Sequence, residues 1–490
     1  MTTLKQLAAV LLTTALFLIA QSASAVGLPD ISNAHFGKQL PGATSFGDML
    51  TGGKPDLWLR LRYEDVSDSI PAGSPLAGTG DADLLHLRVA AGFTTKRFYG
   101  LYARAEFEGG FGIGNDNALN IDEDFTFPPG PVGSRVAAGH SIIPDNDFAE
   151  INEAFIGWRD PAGGCRNAPA RCNGNTTIKL GRQTIIYDNH RWVGNIVWRQ
   201  NNQSFDAFRI DNTSIDNLSL SYSYIDKVNR LFGNDSVFQD FEMNSGHLIN
   251  VAYKTPFGKL TGYGYLLDFD DNPRTPFPEG VGAVGTPGIA SFDSDTFGLR
   301  FVGKHKVNNA FTLLYELEFA NQDPSHDAGP TLSDNNYYNI EFGGKFALGG
   351  IPVVVKIGRE VLEGNGVNAV QTPLATVHAF NGWADKFVGA PGGSATPPGG
   401  LEDTSVTIVV SGLASNLIGK SKLVFQYHDY RADTVVGGVD KYGDEWGLMF
   451  AKPFNKEILG LIKYAKFNDG GDGFSFDTEK FWLMLQYQMK

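Results

Sequence analysis

Between Val26 and Lys490 the chain has no stretch of about 18 uninterrupted apolar residues, which excludes a membrane-spanning helix from that region. Cysteine is nearly missing: Cys165 and Cys172 are the two in 490 residues, both in the polar segment 159–176. A metal pair there would need further His or Cys ligands close by, and the segment has none. In an exported chain the expectation is a local disulfide between them. Excess positive charge is lacking too. The formal net charge is −14, or −15 once Lys5 is lost with the leader, so no basic stripe is available for nucleic acid. Total charge does not say where the charges sit, and an anion-attracting interior stays open.

The one apolar run, Leu7 to Ala20, follows Lys5 and precedes Ala23-Ser24-Ala25. That order predicts a secretory signal cleaved after Ala25. The rival, a membrane anchor, is disfavoured because the run is short for a spanning helix and a small-residue cleavage site follows directly. The mature chain is then periplasmic, secreted or a membrane barrel.

What is abundant favours the barrel. The chain holds 59 Gly, 35 Phe and 17 Tyr, yet its mean hydropathy is only −0.16. Strands with one face in lipid and one in water give this combination, because apolar residues alternate with polar ones and never form a run. Leu57, Leu59, Leu61 and Tyr63 alternate with Trp58, Arg60, Arg62 and Glu64. The pattern recurs in 85–93, 101–107, 311–319, 338–346 and 423–428, and about eighteen such segments can be counted, an even number of the size that leaves an aqueous lumen. Short connections (95–99, 211–217, 255–258, 347–350, 453–456) alternate with long ones (109–147, 226–245, 270–293, 320–335, 363–402), as periplasmic turns alternate with external loops. A soluble sandwich or propeller would have to bury all the aromatic faces in one very large core. The expected fold class is therefore all-β, a transmembrane antiparallel barrel of about 18 strands. Residues 1–25 form the signal, 26–54 a periplasmic segment and 55–490 the barrel, monomeric and surrounded by outer-membrane lipids.

Two segments are too specific to follow from patterning. One runs through Lys179-Leu180-Gly181-Arg182-Gln183-Thr184, Tyr187 to Gly194 (including Asp188, His190, Arg191 and Trp192), Trp198 to Asn202 and Ser204-Phe205-Asp206-Ala207. The other runs from Thr372 to Phe387 and on to Gly400-Leu401-Glu402-Asp403. Both resemble the alginate-export family of outer-membrane porins, 18-stranded barrels for an anionic polyuronate. The resemblance implies that loops near these motifs fold into or over the pore and that arginine lines a constriction, with Arg182 and Arg191 as candidates. Guanidinium forks suit carboxylates better than ammonium does. The plainer reading is that Arg182 and Arg191 pin the loop to wall acids such as Asp206.

On the polar faces of the first strands, Arg60, Arg62, Arg88 and Arg104 are set against Glu64, Glu106 and Glu108, which describes either an anion-attracting wall or a neutralised one. Further on, Arg300, Lys345, Lys356 and Arg359 are expected to face Glu316, Glu318, Glu341 and Glu360. Together with Asp188 and Asp206 these arginines make up the expected solute pathway. No carboxylate pair is singled out as a glycosidase acid and nucleophile, so no enzyme is expected. His378 reads as a structural hydrogen-bonding residue. Asp268, Asp270 and Asp271 read as a solvated acidic loop, a calcium ion being the alternative and no other cofactor being expected. The leading expectation is passive export of an anionic polysaccharide such as alginate, with periplasmic secretion components as partners. The alternative is an uptake or general porin for small anions or sugars.

Overall fold

The alternation becomes extended strand throughout the computed structural model, which describes residues 42–69, 81–114, 143–160, 175–233, 240–270, 293–324, 333–388, 396–412 and 421–489. A short helix, α1 (Phe46–Thr51), comes first, capped by the Ser45 hydroxyl accepting from the Asp48 amide. It is tied to the foot of the barrel by Lys96 Nζ to Asp48 (2.7 Å) and by the Ala43 amide donating to the Arg97 carbonyl (2.6 Å). The strands are β1 (Lys54–Ser69), β2 (Ala82–Thr94), β3 (Leu101–Gly112), β4 (Phe148–Arg159), β5 (Thr176–Gln183), β6 (Ser204–Asn212), β7 (Leu218–Asn229), β8 (Phe241–Lys254) and β9 (Gly258–Phe269). Then come β10 (Ser294–Lys306), β11 (Thr312–Pro324), β12 (Asn335–Leu348), β13 (Ile351–Leu362), β14 (Leu401–Ser411), β15 (Lys422–Val436), β16 (Val439–Pro453), β17 (Ile458–Asp469) and β18 (Asp477–Met489).

Each strand pairs antiparallel with its sequence neighbours, and β1 pairs with both β2 and β18, from Leu57–Met489 to Ser69–Asp477. The 18-stranded sheet closes on itself and leaves no edge. Burial confirms two faces. Arg60, Arg62 and Glu64 are buried inside, while Leu61 on the same strand is exposed; Leu317, Phe319, Ile340, Phe342, Leu483 and Leu485 are exposed likewise.

The outside has the levels of a membrane barrel. At the short-turn end Tyr99, Tyr253, Phe257 and Phe454 stand exposed. At the other end an aromatic row crosses neighbouring strands: Tyr427 is opposite Trp446, Trp446 packs on Tyr464 with ring centres 5.1 Å apart, and Tyr464 is opposite Phe481. Beyond that row lie outward ion pairs, Arg431 with Asp429 (3.0 Å) and Lys466 with Glu479 (2.7 Å). An apolar belt between two aromatic girdles is the exterior of an outer-membrane barrel, and this chain has that exterior.

Two expectations need correction. Arg359 does not face the lumen. It shares the parity of Ile357, which is exposed on the outside, and bonds Glu402 (2.7 Å) there. The alternation of short and long connections fails between β15 and β16, where Gly437 (φ 63°) and Gly438 (φ 87°) close a tight hairpin at the long-loop end. Positive φ at both central residues is what a type I′ hairpin turn requires. Cys165 and Cys172 lie outside the described residues.

Because Leu317 lies mid-strand on the lipid face, opposite Ile340 and Phe301, Leu317→Arg is expected to destabilise the barrel by about 2–4 kcal/mol. Reversible denaturant unfolding from lipid vesicles measures this; a loss below about 0.5 kcal/mol would place that face outside the hydrocarbon.

Candidate functional site

Residues 184–203, joining β5 to β6, run into the barrel rather than away from it. Their side chains reach walls far apart. Asp188 accepts from Lys259 on β9 (2.5 Å) and Asn250 on β8 (3.0 Å). Asn189 donates to Glu316 (3.1 Å) and Trp192 to Glu318 (3.0 Å), both on β11. Arg191 donates to Glu360 on β13 (2.7 Å). Arg199 meets Glu64 on β1 (3.0 Å), and Arg60 of β1 donates to the carbonyls of Val197 (2.9 Å), Trp198 (3.1 Å) and Arg199 (3.0 Å). A segment held at once by β1 and by β8 to β13 crosses the lumen.

The second motif segment, within 363–400, meets it there. The Gly194 amide donates to the Leu374 carbonyl (2.9 Å), the Thr376 amide to the His190 carbonyl (3.0 Å), and the Ile196 amide to Thr376 Oγ1 (3.1 Å). Gln203 Nε2 donates to the carbonyls of both Gly194 (2.7 Å) and Leu374 (3.1 Å). Irregular backbone at membrane depth is tolerated only when protein satisfies it, and here the Gln203 amide, the Thr376 hydroxyl and the bonds between the two segments serve that role. Ile185, Tyr187, Trp192, Val193, Leu374 and Phe387 join wall residues such as Phe205, Tyr263 and Tyr430 in one apolar core inside the barrel. Asp188, His190, Ile196 and Asp385, none of them glycine, have positive φ (50°, 69°, 50° and 62°). Such conformers cost about 1–3 kcal/mol each and persist only where packing over-determines them.

The expected pathway residues are distributed as follows. Arg60, Arg62, Arg88 and Arg191 are fully buried, and Arg104 nearly so. Arg62 binds Asp145, Arg88 binds Glu108 (Nε, 3.1 Å), and Arg104 binds Glu153, Glu106 and Asp56 (2.7 Å). Arg191 also bonds Asn381 (3.2 Å), the plainer, pinning role. Arg182 and Asp206 are the clear misplacement. Arg182 has the parity of Leu180, which is exposed on the outer wall, and forms a two-pronged pair with Asp206 across β5 and β6 (2.7 and 3.0 Å). Asp188, on the lumenal side, holds a partly exposed cation, Lys259. Asp271 lies outside the described residues; Asp268 accepts from Asn244 (3.1 Å), and no metal-ligand cluster occurs among the described residues.

Parity also reveals a basic arc of which the sequence reading held only Lys345 and Lys356, as partners of wall acids. Lys254 and Lys259 face each other on β8 and β9, Lys304 and Lys306 follow Arg300 on the inner face of β10, and Lys345 and Lys356 follow Glu341 on β12 and β13. Lys259 and Lys356 are paired, with Asp188 and Glu341 (2.7 Å). Lys254, Lys304, Lys306 and Lys345 are exposed and carry no ion pair among the described residues. All stand toward the short-turn end. Lys422 opens β15 on the inward parity of Val424.

A polar chain fastens the second segment to the wall. His378 Nδ1 donates to Asp385 (2.5 Å), Lys463 Nζ on β17 donates to His378 Nε2 (2.6 Å), and Asp385 meets Arg199 (2.6 Å) and Lys480 (3.1 Å). The Lys463 ammonium lies 4.0 Å from the Trp198 ring, 4.1 Å from Trp383 and 5.0 Å from Trp482. Burial pushes the His378 imidazole down to about 3 although Asp385 beside it favours protonation, and Lys463 adds to the depression. Burial opposes ionisation of Asp385, yet His378, Lys480 and Arg199 hold it well below the usual carboxylate range.

No protein-family model matches the chain, and no curated protein matches it in sequence. Solved structures do. OccK9 (OpdG) of Pseudomonas aeruginosa superposes with a TM-score of 0.61 at 13% identity, over 90% of this chain and 99% of that one. OccAB4 of Acinetobacter baumannii gives 0.60 at 12%, over 89% and 97%. OpdK of Pseudomonas aeruginosa, solved with vanillate, gives 0.59 at 12%, over 89% and 98%. These are similarities to outer-membrane barrels, and at such identities they establish a shared fold. The alginate-export resemblance therefore rests on the two motifs alone.

His378 is neutral in place and has an ordinary value of 6.5, so its contribution to holding the segment is complete above that pH. It declines as pH falls from 6.5 toward 3, where the released form takes up a proton first. Single-channel traces are expected to be quiet at about pH 7 and to flicker increasingly toward about pH 4, with Lys463→Met flickering already at neutral pH. Equally quiet traces at both pH values, in wild type and variant, contradict the latch.

Proposed function

We propose that the chain is an outer-membrane channel for small anionic solutes, conducting passively along the β8–β13 wall beside a lumenal plug. The observation that carries this reading is the set of exposed lysines with no ion pair among the described residues, Lys254, Lys304, Lys306 and Lys345, on one arc of the short-turn mouth. Exposed ammonium groups in a low-dielectric funnel raise the local anion concentration, whereas buried guanidiniums already bound to carboxylates cannot. The likeness to barrels including one solved with vanillate, itself a carboxylate, supports a small anion.

The same reading keeps a monomeric barrel exported under the 1–25 leader, a Cys165 to Cys172 disulfide at the short-turn end, and transport without catalysis. Export of an anionic polysaccharide, which the motif resemblance implies, draws support from the motif segments lying in the lumen. It is the weaker reading because a polymer needs a continuous bore, and the two segments bond to each other across it.

Replacing Lys254, Lys304, Lys306 and Lys345 together by Gln is expected to lower the anion-to-cation permeability ratio roughly threefold or more. Reversal potentials in planar bilayers under a salt gradient measure it. Lys466→Gln, on the outer wall, should leave the ratio alone. A wild-type channel that prefers cations, or a folded quadruple variant with an unchanged ratio, rules the proposal out.

A further inference from the structure

The outer wall carries an apolar crevice of about 340 Å³ that transport does not use. It lies across β16, β17, β18 and β1, and on β17 its floor includes Gly460, where the neighbouring strands have side chains. Lys452, Gly460, Leu485 and Leu61 follow one another along a single rung, with Phe450, Ile462, Leu483 and Tyr63 on the next. Phe454 closes the lower end; a Cβ on Gly460 would come within 2.8 Å of its ring. Lys452 is the single charged residue of the lining. It stands next to Pro453, where β16 ends at the short-turn side, level with the exposed Phe454 of the lower girdle.

We propose that this crevice binds a phospholipid of the periplasmic leaflet, one acyl chain lying over Gly460 and the head-group phosphate on the Lys452 ammonium. The medium at this face is lipid, the lining is apolar, and the one cation sits where a chain would end and a phosphate begin. A lysine whose stem runs along apolar surface and whose ammonium reaches the interface matches that layout. A second copy of the barrel fits less well, since it would bury the ammonium in the middle of the contact, and interface cores are depleted of lysine.

Native mass spectrometry of the intact barrel released from detergent tests this, with phosphatidylglycerol and a diacylglycerol of the same chains as the two probes. Wild type is expected to retain phosphatidylglycerol at about two- to fivefold lower concentration than diacylglycerol, the range an interfacial ion pair supplies. Lys452→Gln should abolish that difference while both lipids still bind. Gly460→Leu, which fills the crevice once the Phe454 ring swings aside, should weaken both. Leu483→Trp narrows the crevice from its lipid side and serves if the first fill disturbs folding, heat-modifiable migration being the check. Retention of both lipids unchanged in a folded filled variant overturns the proposal, as does a head-group difference that survives Lys452→Gln. Protein dimers that Gly460→Leu dissolves would assign the crevice to a second copy instead.

Discussion

Hydrocarbon offers no hydrogen-bond partner, so a chain without a spanning helix can cross a bilayer only as a sheet with no free edge. The pairing of β1 with β18 meets that demand, and most of the molecule follows from it. Closure forces alternate residues outward into lipid and inward into a lumen. The inward set can then be polar without cost to the outside. Charge patterning along each strand becomes an interior property, which is how a chain of net charge −14 keeps a basic arc at one mouth.

The interior is built on charge neutralisation. A buried guanidinium stripped of water is strongly unfavourable unless a carboxylate and further acceptors meet it. Arg62, Arg88, Arg104, Arg191 and Arg199 each have such acids, and Arg60 is spent on backbone carbonyls. Arg60, Arg62, Arg191 and Arg199 join plug to wall, Arg88 and Arg104 neutralise acids of the wall itself, and in the proposed function the lysines that stay solvated are the ones left to meet a solute. The plug in turn gathers the positive-φ residues Asp188, His190, Ile196 and Asp385, so conformational strain is concentrated in the segments that cross the lumen.

Much of this was legible in the chain. Leu57 to Glu64 announces its two faces by period alone, and the strand number follows because turn-rich segments separate the runs. The site was less legible, for two reasons. Arg182 follows Lys179 and Gly181, and counting parity from the exposed Leu180 puts it outside; motif resemblance drew it inward. Ile357 and Arg359 carry the same lesson. The contact between Gly194 and Leu374, and the reach of Lys463 to His378, join segments distant in sequence, which no local period encodes. The basic arc was within reach, since Lys304 and Lys306 continue the parity of Arg300, but no motif pointed to it.

If the two motif segments, meeting in the lumen, set the aperture, removing one of them opens the pore. Gly364 already lies against Pro398 and Gly400 at the ends of the second segment, so a short flexible linker can replace residues 365–397 without moving β13 or β14. The single-channel conductance of that variant, refolded and checked for heat-modifiable migration, is the most direct measurement. A conductance several times that of the wild type is expected, with anion preference retained, because the lysines stay on the wall. A correctly folded variant with wild-type conductance would contradict it.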